Sequence, residues 1–181
     1  MKVTLTAIAG VLLVEPQVFT DARGFFFESF NQRVFNAATG TSFSFVQDNH
    51  SRSVKGVLRG LHFQSARPQG KLVRVVRGAV WDVVVDIRPG SPGFGKWVGL
   101  ELSEHDPRQL WVPPGLAHGF LVLSDSADVL YKTTDYYAPE LERCIAWNDP
   151  ALGIVWPAGV QPLLSARDQQ GLSLDQAMRS V

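Results

Sequence analysis

The sequence predicts an all-β protein: one antiparallel sandwich or barrel of eight or more strands, with a jelly roll as the preferred architecture. Two observations carry that expectation. Short runs rich in Val, Leu, Phe and Trp recur along the chain, their starts often roughly ten residues apart, with Gly, Pro, Asp and Ser between them. No helical period of useful length separates these runs, which argues against a parallel sheet with crossover helices. With 181 residues, 45% of them hydrophobic, residues 1–181 are expected to fold as a single domain around their own core.

In chain order, the first run is VLLVEP (11–16), closed by a proline that cannot donate to a strand ladder. GFFFESF (24–30) is a phenylalanine-rich strand candidate. Asn31 then stands where a helix cap belongs and Gly40 where a helix stops, so a short helix is expected through Ala38. FSFVQDNHS (43–51), VLRGLHF (57–63), KLVRVV (71–76), AVWDVVVDI (79–87), KWVGLEL (96–102) and QLWVP (109–113) follow as strands. A Pro-Pro-Gly turn sets the direction of HGFLVL (118–123), and VLYKTTDYY (129–137) closes the series. The polar tail from Ser165 is expected to form one or two helical turns.

Seventeen basic and seventeen acidic side chains cancel. That balance excludes a nucleic-acid binder held by bulk phosphate attraction. The balance hides opposed regions, because Arg52, Lys55, Arg59, Arg67, Lys71, Arg74 and Arg77 fall in a stretch, 52–81, without one acid. Residues 101–150 reverse this with nine acids against three bases. The single cysteine, Cys144, forbids an intrachain disulfide and points to a reducing, cytoplasmic setting. The apolar start is broken by Thr4, Thr6 and Gly10 and is read as mature sequence. No apolar run reaches the roughly 18 residues that a membrane span requires, so no membrane partner is expected.

Four histidines narrow the search for chemistry. His105, in SEHDP, reads as a solvated loop residue, whereas His50, His62 and His118 lie in or beside apolar strands. Arg59 and His62 are an odd number of residues apart, so strict alternation turns them to opposite faces. Gly60 between them is either a bulge that brings both into one cavity or a simple kink that leaves Arg59 in solvent. The bulge reading gathers Asn49, His50, Arg59, His62 and Lys71 on one face of adjacent strands. A metal site of the usual small-barrel kind needs a tight His-x-His pair, and here Gln64 stands two residues after His62. No metal and no cofactor are therefore expected. Taken alone, Tyr131 fits a core aromatic, and Asp168 a cap or turn residue.

Together, DARGFFFESFN, FVQDNHSRS, GVLRGLHFQ, QGKLVRVVRG, FGKWVGLELS, WVPPGLAHGFLVLS, VLYKTTDYYAPE and WNDPALGIVWP, in this order, resemble the dTDP-4-dehydrorhamnose 3,5-epimerases. The resemblance runs from about Val11 to Asp168. It implies a metal-independent, cupin-type jelly roll, usually a homodimer, that acts on a dTDP-sugar with a ketone at carbon 4. Carried onto this chain, it makes His62 the general base and Asp168 its orienting partner. Tyr131 becomes the proton donor, and Lys71 the cation for the enolate. Arg23, Glu28, Gln47, Asn49, Arg59, His118, Glu142 and Arg167 match substrate-binding positions, and Tyr137 the aromatic that stacks on thymine. Phe26 lies in the strand that reaches across the dimer to the partner's site. The alternatives are an epimerase acting at one carbon only, a ketoisomerase of another dTDP-sugar, or a nucleotide-sugar-binding or metal-dependent cupin without epimerase activity.

Overall fold

A computed structural model describes residues 1–179. The described chain forms thirteen strands: β1 (Lys2–Leu5), β2 (Leu12–Glu15), β3 (Phe19–Asp21), β4 (Gly24–Phe26), β5 (Gln47–Val54), β6 (Leu58–Gln64), β7 (Lys71–Arg77), β8 (Ala79–Asp86), β9 (Trp97–Ser103), β10 (Gln109–Val112), β11 (Leu116–Val122), β12 (Ser126–Thr133) and β13 (Glu142–Cys144). Two short helices accompany them, α1 (Gln32–Thr39) and α2 (Leu174–Arg179). A six-stranded sheet, ordered β1-β2-β10-β7-β12-β5, faces a five-stranded sheet, ordered β13-β6-β11-β8-β9, and every named strand pair is antiparallel. This is the expected jelly-roll sandwich.

The period-two alternation of the strands divides the molecule into layers. On β7 and β12, Val73, Val75, Ala127 and Val129 point between the sheets and meet Val80, Val84, Leu116, Phe120 and Val122 from β8 and β11. Each fully buried Val or Leu of this kind stabilises the fold by about 1.5–3 kcal/mol. The opposite faces are covered too. Leu72 and Trp111 pack outward against Phe35 of α1 and against Phe45, while Leu61, Phe63, Val83 and Val85 pack outward under Ile145, Leu152, Leu174 and Ala177 of the C-terminal segment.

Helix α1 forms for the reason its ends suggest. The Asn31 side chain accepts hydrogen bonds from the backbone N–H groups of Arg33 and Val34, and Gly40 closes the helix at φ +70°. The one buried residue of this helix, Phe35, docks it edge-on against Trp111. Boundaries differ from expectation where polar or exposed residues end the alternation. β5 starts at Gln47 rather than Phe43, and β12 ends at Thr133, leaving Tyr137 on a loop. Only Gly24–Phe26 of GFFFESF is a strand, paired with β3 in a hairpin whose six residues are all exposed. The C-terminal segment supplies a 3-10 turn at Asp168–Gln170 and then α2.

Candidate active site

The apolar filling occupies one end of the sandwich, and at the other end the inward positions turn polar around a cavity of about 380 Å³. β5 contributes Gln47 and Asn49, β6 contributes Arg59 and His62, β7 Lys71, β11 His118, β12 Tyr131 and β13 Glu142; Tyr137 and Arg167 come from loops. Every one of these is a position singled out in the sequence.

Gly60 makes this gathering possible. On β11, His118 and Phe120 are two apart, yet their partners on β6, His62 and Arg59, are three apart, so β6 carries one extra residue there. That bulge corrects the parity and lets Arg59 and His62 both line the cavity. Gly60 sits at φ +113°, and a Cβ there would lie 2.7 Å from both Gly119 Cα and His118 O, so only glycine fits.

His62 Nε2 lies 2.6 Å from Asp168 Oδ1. Asp168 is buried and anchored independently: its Oδ2 accepts from Ser165 Oγ at 2.7 Å, and its Oδ1 accepts from the Gly60 N–H at 3.3 Å. Burial by itself raises the Asp168 carboxyl, but the bonds from His62, Ser165 and Gly60 outweigh it and hold the group below the ordinary carboxylate range. A carboxylate accepts only, so the proton of this bond belongs to Nε2, and Nδ1 is the basic nitrogen. Nδ1 lies 3.8 Å from Glu142 Oε1.

Tyr131 and Lys71 approach from the opposing sheet. Burial, reinforced by Glu142, raises the Tyr131 phenol, which therefore keeps its proton at neutral pH. Burial brings the Lys71 ammonium down to about 8, against the opposing pull of Glu142 and Asp82. Near the mouth, Tyr137 OH donates to Glu142 Oε2 at 2.6 Å, and Arg167 pairs with Glu142 and reaches Tyr137 OH at 3.2 Å. Gln47 ties this end down by accepting the Tyr137 N–H at 3.0 Å and donating to Asn49 at 2.9 Å.

One placement corrects the sequence reading. His50 faces outward, where it and Arg52 bond Asp128, because one step along β5 from inward Asn49 reverses direction. Arg23, Phe26 and Glu28 do not line the cavity of their own chain. Arg23 projects into solvent bonded to Asp21, and Phe26 and Glu28 border a separate hollow with Met1, Phe19 and Val34. The β3–β4 hairpin forms a two-stranded sheet of its own, apart from the two large sheets that wall the cavity.

Sequence reasoning passed over Asp82, which bonds His118 Nε2 at 2.9 and 3.0 Å, and Ser165, which supports Asp168. The acids of AVWDVVVDI, Asp82 and Asp86, fall on one face of an otherwise apolar strand, and that was the available signal for Asp82. Residue spacing also hid a cluster of His62, Cys144 and Asp168, whose candidate donor atoms lie within 4.8 Å of one another. Burial, with Asp168 adding to it, pushes the Cys144 thiol up to about 12, so it is neutral at physiological pH.

The family described as dTDP-4-dehydrorhamnose 3,5-epimerase matches residues 5–176. The chain belongs to the dTDP-4-dehydrorhamnose 3,5-epimerase family. Among relatives of that name, the one from Pseudomonas aeruginosa is 63% identical over 171 residues, covering 94% of each chain. The solved dTDP-6-deoxy-D-glucose-3,5-epimerase from Legionella pneumophila, in complex with dTDP-4-keto-L-rhamnose, is 52% identical, with a TM-score of 0.94 over 96% of this chain and 93% of that one. A 3'-monoepimerase from Streptomyces bikiniensis, solved with dTDP-quinovose, is 39% identical, with a TM-score of 0.90 over 97% and 89%. This shape is thus shared with a protein described as a 3'-monoepimerase. No helix among the described residues is long and apolar enough to cross a membrane.

Proposed function

We propose that this chain epimerises dTDP-4-dehydro-6-deoxy-D-glucose at carbons 3 and 5 to dTDP-4-dehydro-L-rhamnose. The observation that carries the reading is the arrangement of His62 on one sheet and Tyr131 with Lys71 on the other, all lining one cavity. Hydrogens on carbons 3 and 5 flank the carbon 4 ketone, so loss of either leaves an enolate. His62 Nδ1 takes the proton, and Asp168 stabilises the resulting imidazolium. The C–H electron pair moves into the new C=C bond while the carbonyl π pair moves onto oxygen, whose charge faces Lys71. Tyr131 then gives its proton to the opposite face of the same carbon, which inverts it. Water restores the phenol and accepts the imidazolium proton, and the sequence repeats at the second carbon.

Arg59 and Arg167 suit the diphosphate, since a guanidinium makes paired, charge-assisted bonds to phosphate oxygens. Tyr137 suits the thymine face. The three residues that miss the cavity fit a homodimer in which each chain lends Arg23, Phe26 and Glu28 to the other's site. Support comes from the exposed aromatics of that hairpin, Phe19 at 56% and Phe25 and Phe26 at 69% each, an apolar surface that a second copy would cover. A cytoplasmic location fits a nucleotide-sugar substrate and an unpaired, buried Cys144.

Turnover in heavy water tests the activity. Deuterium is expected at both carbons 3 and 5. Deuterium at one carbon alone would assign a single-site epimerase, and none at either would overturn the reading.

A further inference from the structure

Asp82 is wholly buried, at 0% exposure, and the scheme above gives it no task. It stands on β8 opposite Phe120, and His118 on β11 stands opposite Val84, so Asp82 and His118 are diagonal neighbours on the inward face. His118 in turn pairs directly with His62 across β6. The five-stranded sheet therefore carries an inward row of Asp82, His118 and His62 beside the cavity. Among the described residues, the one hydrogen-bond donor that the Asp82 carboxylate meets is His118 Nε2, at 2.9 and 3.0 Å from its two oxygens.

A buried carboxylate is costly unless bonds and opposite charge offset it. Lys71, from the facing sheet, supplies the opposite charge, and Asp82 with Glu142 in turn supports its ammonium against desolvation. The other titratable groups that line the cavity with Lys71 are Arg59 and His62 of β6, His118 of β11, Tyr131 of β12, and Tyr137 and Arg167 of the loops. None of these adds a negative charge at neutral pH. Without Asp82, the cation that faces the enolate would depend on Glu142 alone, and Glu142 is already paired with Arg167.

We propose that Asp82 is a positioning residue for the epimerisation: it forms with His118 a second histidine–carboxylate pair that fixes that imidazole and supplies the buried negative charge holding the Lys71 ammonium in the cavity. The inference rests on the reading of Lys71 as the cation that faces the enolate.

Two measurements test it. In wild-type protein labelled with 15N-histidine, with His118 assigned by its loss in His118→Gln, the proton is expected on Nε2 at pH 7; a neutral imidazole protonated on Nδ1 overturns the pair. In Asp82→Asn, the alkaline limb of kcat is expected to move to lower pH. Its KM should stay within about threefold of wild type. Asp82→Glu should recover part of the limb. A fall in kcat by the same factor at every pH would mark a merely structural role and overturn the proposal. If Asp82→Asn does not fold, the tautomer in wild-type protein decides. Absence of deuterium exchange by wild-type enzyme would defeat the epimerase reading separately, since the tautomer is measured without turnover.

Discussion

Nε2 of His62 lies 2.6 Å from Oδ1 of Asp168, and this one contact decides which nitrogen of His62 can act as a base. Ser165 and Gly60 hold Asp168 from other directions, so the ring is oriented by a carboxylate that cannot itself turn freely. Asp168→Asn keeps the shape but offers an amide that can bond the ring in either tautomer. Its kcat is expected to fall about 10²–10⁴-fold, with KM little changed, in steady-state assays. A kcat within a few-fold of wild type would mean that His62 is not the base.

Tyr131→Phe separates proton removal from inversion. His62 can still form the enolate and return the proton to the face from which it came. Proton NMR in heavy water should therefore show slow deuterium uptake into substrate of unchanged configuration, while product formation falls about 10²–10⁴-fold. Uptake and inversion lost in equal measure would argue that Tyr131 acts in enolate formation rather than in reprotonation.

The pH dependence should carry the mark of Lys71. Burial lowers its ammonium to about 8, so the charge is present below that pH and disappears as pH rises through it. Tyr131 moves the other way and keeps its proton across the same range. The alkaline limb of kcat is thus expected near pH 8. Lys71→Met should remove that limb and lower kcat about 10²–10³-fold, the usual loss for a preorganised oxyanion partner.

Much of this site follows from strand parity. Alternation along KLVRVV places Lys71 with Val73 and Val75 on the inward face, and of the two readings that the odd separation of Arg59 and His62 left open at Gly60, a bulge or a kink, the structure shows the bulge. The same rule, applied one step from Asn49, turns His50 outward. Loops and long-range partners follow no such rule. Ser165 reaches Asp168 only because a 3-10 turn begins there, and Tyr137 reaches Glu142 from beyond the end of β12. Asp82 was masked because AVWDVVVDI reads as an apolar run, in which its two acids, Asp82 and Asp86, change the pattern little.

Gly60→Ala tests the bulge. The substitution puts a Cβ against Gly119 and the His118 carbonyl at a φ of +113°, a conformation costing about 1–3 kcal/mol for a side-chain-bearing residue. For a chain of this size each kcal/mol lowers Tm by about 2–4 °C. Because the Gly60 N–H also bonds Asp168, kcat is expected to fall along with Tm. Thermal unfolding and kinetics together check this. An unchanged Tm would show that β6 accommodates the methyl group.

The hairpin that carries Arg23 and Phe26 makes the strongest demand on assembly, since its residues contribute nothing to their own chain's cavity. If they complete the partner's site, Arg23→Ala and His62→Ala damage different sites within a mixed pair. In a hybrid of the two variants, one site combines the intact His62 of the first chain with the intact Arg23 of the second. Co-expression of two differently tagged variants, followed by sequential purification, should therefore yield activity well above that of either variant alone. Phe26→Glu should place a charge in the shared surface and shift light scattering from dimer to monomer, with loss of turnover. A hybrid no more active than its parents, or a fully active Phe26→Glu monomer, would show that each chain works by itself.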